Sequence, residues 1–408
     1  MKQTSHLRDP DLGLASVPIA RVLEKPFLGK EISTDDATAL FGTTGADRDA
    51  LFRAADGLRR MTRGNRASFV VCRNINFTNI CYMGCQFCGF AKRREQAGAE
   101  VLDFDEIVRR AREAAKRGAT EVCIQGGLNP DLSWRHYANI LQAIKADLPD
   151  LHIHAFSPFE IWYGAKLSKM PYPDYIQSLK EAGLGSMPGT AAEILDVTIR
   201  KQLTRDKLST EDWVTIIKSA HRVGMPTTAT IMYGHIDQPH HWAAHLGLLR
   251  DIQRETGGFT ELVPLGFVHQ DSPLYARRAD VRPGPTEDEN LKMHAVARVM
   301  LHGLIDNIQV SWVKLGHEMA VKMLTCGAND LGGTLMNESI SRSSGARYGQ
   351  EVTPAEMVDL IRAAGQIPFQ RNTLYDVLEM FDDHDPKEIA PLVARDGATP
   401  LDFLNLPN

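Results

Sequence analysis

The chain has 408 residues, is 43% hydrophobic and 24% charged, and carries a formal net charge of −5. That composition supplies a large apolar core and no basic excess that would hold nucleic acid. No apolar run approaches the roughly 20 residues of a membrane helix. Residues 1–20 lack the apolar centre of a signal peptide, and the six cysteines, three clustered and three scattered (Cys72, Cys123, Cys326), do not form a disulfide framework, so a reducing, cytoplasmic setting with neither nucleic acid nor membrane as partner is expected.

In chain order, residues 1–30 read as a polar, poorly ordered lead-in. Residues 35–63 place apolar side chains at helical spacing (Ala37, Leu40, Leu51, Ala54, Leu58) around a turn at Gly42 and Gly45, which predicts two helices. The β-rich run 68–72 predicts a first strand leading into Asn74 and a cysteine loop. Helix and strand signals then alternate: helices at 103–117, 133–146, 173–182, 210–223, 240–255, 286–302 and 314–324, with strands at 121–125, 151–155, 184–187, 227–233, 260–265, 307–311 and 330–335. Strands separated by helices of this length imply βαβ units, and about eight of them predict a (β/α) TIM-type barrel, complete or nearly so. The expected organisation is a lead-in with helices over 1–66, the barrel over 67–345, and a C-terminal helical extension over 346–408 that packs on the barrel. Within that extension, Thr353-Pro-Ala-Glu356 has the form of a capping box opening a helix to about residue 364.

The loop after the first strand holds Cys81, Cys85 and Cys88 in a C-x3-C-x2-C spacing, with no fourth cysteine nearby. Three thiolates can hold three corners of an iron–sulfur cube, which ordinarily takes four. A structural zinc site would want a fourth protein ligand, for which His152 or His154 is available. Three unrelated core cysteines would also give the count, and spacing alone leaves these readings open. In a barrel the reactive groups collect at the C-terminal strand ends. Those ends carry Gln125-Gly126-Gly127, where glycine permits close backbone approach to a ligand; His152 and His154 on one face of their strand, with Glu160 just beyond; Gly189-Thr190, read as opening a helix; Glu193; and Thr228 and Thr230 on one strand face. Glu193 either faces a cofactor ribose or caps that helix.

The cysteine spacing, with Phe87 before the last cysteine, resembles the radical S-adenosylmethionine (SAM) enzymes. Asn74–Asn79, His152–Glu160, the Gly-Thr-Ala-Ala loop at 189–192, and the stretches 227–235, 255–260 and 327–335 resemble one branch of that superfamily. It contains the deazaflavin (FO) synthase subunits and the futalosine enzymes of menaquinone synthesis, and the Gly-Thr-Ala-Ala loop is similar to that of the second, tyrosine-using FO synthase subunit. The resemblance implies a 4Fe-4S cluster on Cys81, Cys85 and Cys88 with one non-cysteine iron that chelates SAM. It implies SAM contacts from Gln125, Gly126, Gly127 and Glu193; position at the strand ends makes His154, Glu160, Thr190 and Thr228 the candidate substrate contacts. It further implies Cα–Cβ cleavage of L-tyrosine and transfer of its 4-hydroxybenzyl group to 5-amino-6-(D-ribitylamino)uracil, with an electron donor and a ring-closing radical SAM subunit as partners. A futalosine-pathway enzyme is the alternative; a non-catalytic iron–sulfur or zinc protein is the remote one.

Overall fold

The computed structural model describes residues 12–204 and 207–392. At its centre is a ring of parallel strands. β1 (Arg66–Val70) and β2 (Cys72–Asn76) are one run interrupted at Val71. β2 pairs with β3 (Glu121–Gln125) and β3 with β4 (His152–Ala155); β5 (Thr227–Tyr233) pairs with β6 (Phe259–Gly266), and β7 (Asp330–Gly333) pairs back to β1. Two positions are held by isolated pairs only: His154 to Ser186 with Met187 to Thr227, and Leu262 to Ile308 with Gln309 to Asp330. With them the ring closes as an eight-position (β/α) barrel. The strands predicted at 184–187 and 307–311 are these bridges; the first ends at Pro188, which has no N–H to extend a ladder.

Period-two alternation sorts each strand's side chains. Val122, Ile124, Ala229, Ile231 and Leu262 are fully buried in the outer core, while Glu121, Cys123, Gln125, Thr228, Thr230 and Glu261 border a cavity inside the ring. The barrel therefore turns its polar residues inward, where a ligand can meet them.

Both termini depart from the sequence reading. Val17–Phe27 is a helix, with Leu23 fully buried and the Ser16 amide and hydroxyl donating to Asp47 at 2.6 and 2.9 Å. Pro18 and Pro26 mask its apolar spacing, yet Pro18 sits in the first turn, where no N–H is needed. Residues 1–11 and 393–408 of the expected lead-in and extension lie outside the described residues. At the other end the predicted capping box is present: Thr353 Oγ1 accepts from the Glu356 amide at 3.4 Å, Glu356 Oε2 accepts from the Thr353 amide at 2.8 Å, and the helix runs Pro354–Ala363.

Beyond that helix the chain forms a hairpin of β8 (Ile367–Arg371) and β9 (Val377–Met380), where short helices were expected. β8 runs parallel to β1 from the Arg66–Ile367 pair to the Phe69–Gln370 pair. The extension thus enters the sheet instead of only covering it, and carries Arg371 into the barrel. Arg371 is 2% exposed and donates to Asp330 at 2.6 and 3.0 Å and to Glu261 at 3.4 Å; Tyr375 also donates to Glu261, and Ser68 to Asp330. Among the described residues no helix is long and apolar enough to cross a membrane.

Candidate active site

The cysteine loop leaves the end of β2 and is pinned by backbone hydrogen bonds. The amides of Cys81, Tyr82 and Gln86 donate to Lys92, Leu128 and Leu203 at 3.0, 3.1 and 3.0 Å, and Arg93 donates to the Cys81 carbonyl at 2.7 Å. Cys81, Cys85 and Cys88 are half-buried free thiols bordering one cavity of about 240 Å³. Burial pushes the Cys88 thiol up to about 11 and raises Cys81 as well, so a metal must displace their protons to bind. Among the described residues no three His, Cys, Asp or Glu side chains are grouped to hold a single metal ion. His152 and His154, the possible fourth zinc ligands, both turn to Ser186 Oγ at 2.7 Å. Burial lowers them to about 4 and about 3, so both are neutral near pH 7.

Gln125, Gly126 and Gly127 border the same cavity. The glycines are required by the chain's own packing: a Cβ on Gly126 would meet the Phe77 ring at 2.5 Å, and one on Gly127 would meet the Ile80 carbonyl oxygen at 2.3 Å and Cys81 Cβ at 2.9 Å. Both amides are engaged, Gly126 donating to Glu160 at 3.0 Å and Gly127 to the Thr78 carbonyl at 2.8 Å. No donor among the described residues reaches their carbonyl oxygens. The Gly127→Ala variant must therefore displace the cysteine loop. Its expected result is a folded protein with lowered iron content and about a hundredfold slower turnover, checked by iron analysis beside a rate measurement.

Glu160, expected as a free contact for substrate, is instead the N3 residue of a capping box that opens the unpredicted helix Pro158–Ser168. Its carboxylate accepts from the Ser157 amide and hydroxyl, both at 2.7 Å, and from Gly126. It borders the cavity, but its oxygens already hold the glycine turn. Burial raises its carboxyl to about 7 against those hydrogen bonds.

The expected helix at Gly189-Thr190 is absent: residues 188–196 form a loop, and the next helix begins at Val197 on an Asp196 cap. Ala191 and Glu193 have φ of +65° and +45°, a strained setting held by buried Arg200, which donates to the carbonyls of Ala191, Ala192 and Leu208. Glu193 is therefore not a helix cap. Burial pushes its carboxyl up, but its ion pair with Lys207 outweighs that and holds it below the ordinary carboxylate range. Lys207 also lies over the rings of Phe87 and Phe159, at 5.1 and 5.4 Å from their centres, which ties Glu193 to the cysteine loop. Nothing in the sequence pattern singles out Lys207.

Beneath this cavity, inside the ring, lies the second, of about 270 Å³, bordered by His154, Thr190 and Thr228; Gln125, Thr190, Thr230 and Lys314 border both. Thr228 Oγ1 accepts from the Gly189 amide at 2.9 Å and Thr230 donates to the Gly189 carbonyl at 2.7 Å. The threonine face thus positions the strained loop. Thr190 donates to Gln125 at 3.3 Å across the boundary of the two cavities.

A model of the Radical SAM superfamily matches residues 75–249, and one of the CofH/MqnC C-terminal region matches residues 256–384. Over 356 residues the chain is 50% identical to the 5-amino-6-(D-ribitylamino)uracil–L-tyrosine 4-hydroxyphenyl transferase of Methanocaldococcus jannaschii, covering 86% of this chain and 99% of that protein. The chain belongs to the radical SAM superfamily. It is also 51% identical to the FO synthase of Nocardia farcinica over 88% of its own length, but spans only 41% of that longer protein. The FeFe-hydrogenase maturase HydG of Carboxydothermus hydrogenoformans shares the fold, with a TM-score of 0.68 at 15% identity over 88% of this chain and 80% of that one. Membership implies a 4Fe-4S cluster and SAM. The donor set fits them: three free thiols border one cavity beside a glycine turn whose carbonyls are unoccupied.

Proposed function

We propose that the chain cleaves the Cα–Cβ bond of L-tyrosine and adds its 4-hydroxybenzyl group to 5-amino-6-(D-ribitylamino)uracil, leaving 2-iminoacetate, L-methionine and 5′-deoxyadenosine, as a step in deazaflavin coenzyme synthesis. The observation that carries this is the 50% identity to the jannaschii transferase along 99% of that protein. Two adjoining cavities, one at the cysteines and one deeper in the barrel, support it.

In this reading Cys81, Cys85 and Cys88 hold three irons and the fourth is left to SAM, since neither Cys72, Cys123 nor Cys326 borders the outer cavity. Bound there, the cluster and SAM would supply a 5′-deoxyadenosyl radical. The carbonyls of Gly126 and Gly127 would accept from the SAM ammonium, Gln125 and Thr190 form the boundary with the inner cavity, and Glu193, fixed by Lys207, would meet the ribose. Glu160 acts indirectly by fixing Gly126. His154 and Thr228 border the space for the substrates, whose enclosure inside the barrel excludes water from a reactive carbon radical. An electron donor is needed from outside the chain. The ring-closing subunit is the proposed consumer of the product, in a cytoplasmic setting that keeps the thiols reduced.

The test is anaerobic incubation of reconstituted protein with SAM, reductant and either or both substrates, followed by mass spectrometry. Deoxyadenosine accompanied by a hydroxybenzyl–uracil adduct only when both are present is the expected result. Deoxyadenosine with futalosine-pathway substrates and none with these two would overturn the assignment.

A further inference from the structure

Lys314 and Glu338 are charged groups bordering the inner cavity that do not hold the cysteine loop and that the proposed function gives no SAM contact. Lys314, in the short helix Trp312–Leu315, borders both cavities, and its ammonium has no hydrogen bond or ion pair among the described residues. Glu338 is 5% exposed and borders the inner cavity; its Oε1 accepts from the Ser341 amide at 2.8 Å, while Oε2 is buried with no partner. Asn74 Oδ1, on β2, is likewise buried, unpartnered and on this cavity's wall. The other charges of the wall are satisfied: Arg371 by Asp330 and Glu261, and Glu121 by Thr373.

An ammonium and a carboxylate that share an enclosed cavity and attract each other only at a distance are unfavourable alone, because each has lost water without gaining a hydrogen-bonded counter-ion. A ligand that carries both charges on neighbouring atoms satisfies the two at once. The aminouracil and its ribityl chain are uncharged, so they do not meet this need. An α-amino acid does.

We propose that Lys314 and Glu338 clamp the head group of an α-amino acid substrate, Lys314 on its carboxylate and Glu338, with Asn74, on its ammonium. The proposal rests on the reading of L-tyrosine as substrate and names the residues that would recognise it. The uncharged donors and acceptors of the wall, His154, Gln125 and Gln309 among them, are left for the pyrimidine.

The test is equilibrium binding to the reconstituted, SAM-loaded protein without reductant, so that no turnover occurs. The ligands are L-tyrosine, tyramine (no carboxylate) and 3-(4-hydroxyphenyl)propanoate (no ammonium), with the aminouracil and SAM as controls. The unmodified protein should prefer L-tyrosine to either analogue by at least about tenfold, the worth of one charged hydrogen bond. Lys314→Met should bind L-tyrosine and tyramine alike, and Glu338→Gln should bind L-tyrosine and the propanoate alike. Lys314→Arg, which keeps the cation, should retain the preference over tyramine. Affinities for SAM and the aminouracil should stay within about twofold. Folded, loaded variants that keep the original preferences, or that weaken SAM or the aminouracil instead, would overturn the clamp while leaving the transferase reading intact. Failure of the unmodified, SAM-loaded protein to bind L-tyrosine would overturn both.

Discussion

Replacing Cys81, Cys85 or Cys88 singly by alanine is expected to remove the brown colour of the reconstituted protein and all deoxyadenosine formation, a loss of at least about 10⁶-fold, the low end of enzymatic acceleration. The fold should survive. The loop's ties to Lys92, Leu128 and Leu203 are made by backbone amides and do not involve the thiols. Far-ultraviolet circular dichroism and the melting temperature of the metal-free variants should therefore match those of the metal-free parent. Cys326→Ala, at a buried cysteine bordering neither cavity, should keep colour and activity. A colourless parent that binds one zinc and loses it in each variant would contradict the cluster assignment.

Arg371→Met is expected to destabilise the fold by about 3–5 kcal/mol, because it leaves the Asp330 and Glu261 carboxylates buried without their cation. Urea titration measures this. Breaking the exposed Arg254–Glu31 pair, about half exposed on both sides, should cost no more than about 1 kcal/mol by the same method. The two differ because one pair is desolvated and the other is screened by water.

The Arg371 penalty also has a pH signature. Burial pushes the Glu261 carboxyl up to about 7 even with Arg371 beside it. Removing the cation raises the folded-state value of Glu261 further, while in the unfolded chain it stays ordinary. The folded variant then binds more protons than its unfolded chain, so its stability falls as pH rises. The deficit should be larger near about pH 8 than near about pH 5. A deficit independent of pH would mean that Arg371 acts through packing alone.

The barrel was legible because alternation of period two and period 3.6 survives in most of its elements, as at Glu121–Gln125 and Thr227–Tyr233. Where proline or a short run interrupts a pattern, the reading failed. Pro18 hid the first helix, and Pro368 hid β8, whose strand identity depends on β1 lying about 300 residues away in the chain. The cysteine loop stood out because its chemistry is carried by residue type and spacing. Ser157-Pro-Phe-Glu160 has the same capping-box form as Thr353-Pro-Ala-Glu356, and the signal was there to be read; position beyond a strand end led instead to a substrate contact. Lys207, Lys314 and Glu338 had no such signal. A lysine in a loop or at a helix start looks like a solvated charge until the fold turns it toward a cavity.

The central claim, that the chain splits tyrosine between Cα and Cβ and passes on the benzylic fragment, is tested most directly with two isotopic forms of L-tyrosine. One is ¹³C-labelled at Cβ and the other at Cα, each incubated with SAM, reductant and the aminouracil. The Cβ label is expected in the uracil adduct and the Cα label in glyoxylate, the hydrolysis product of 2-iminoacetate. Both labels in one product, or neither in an adduct while deoxyadenosine accumulates, would contradict the claim.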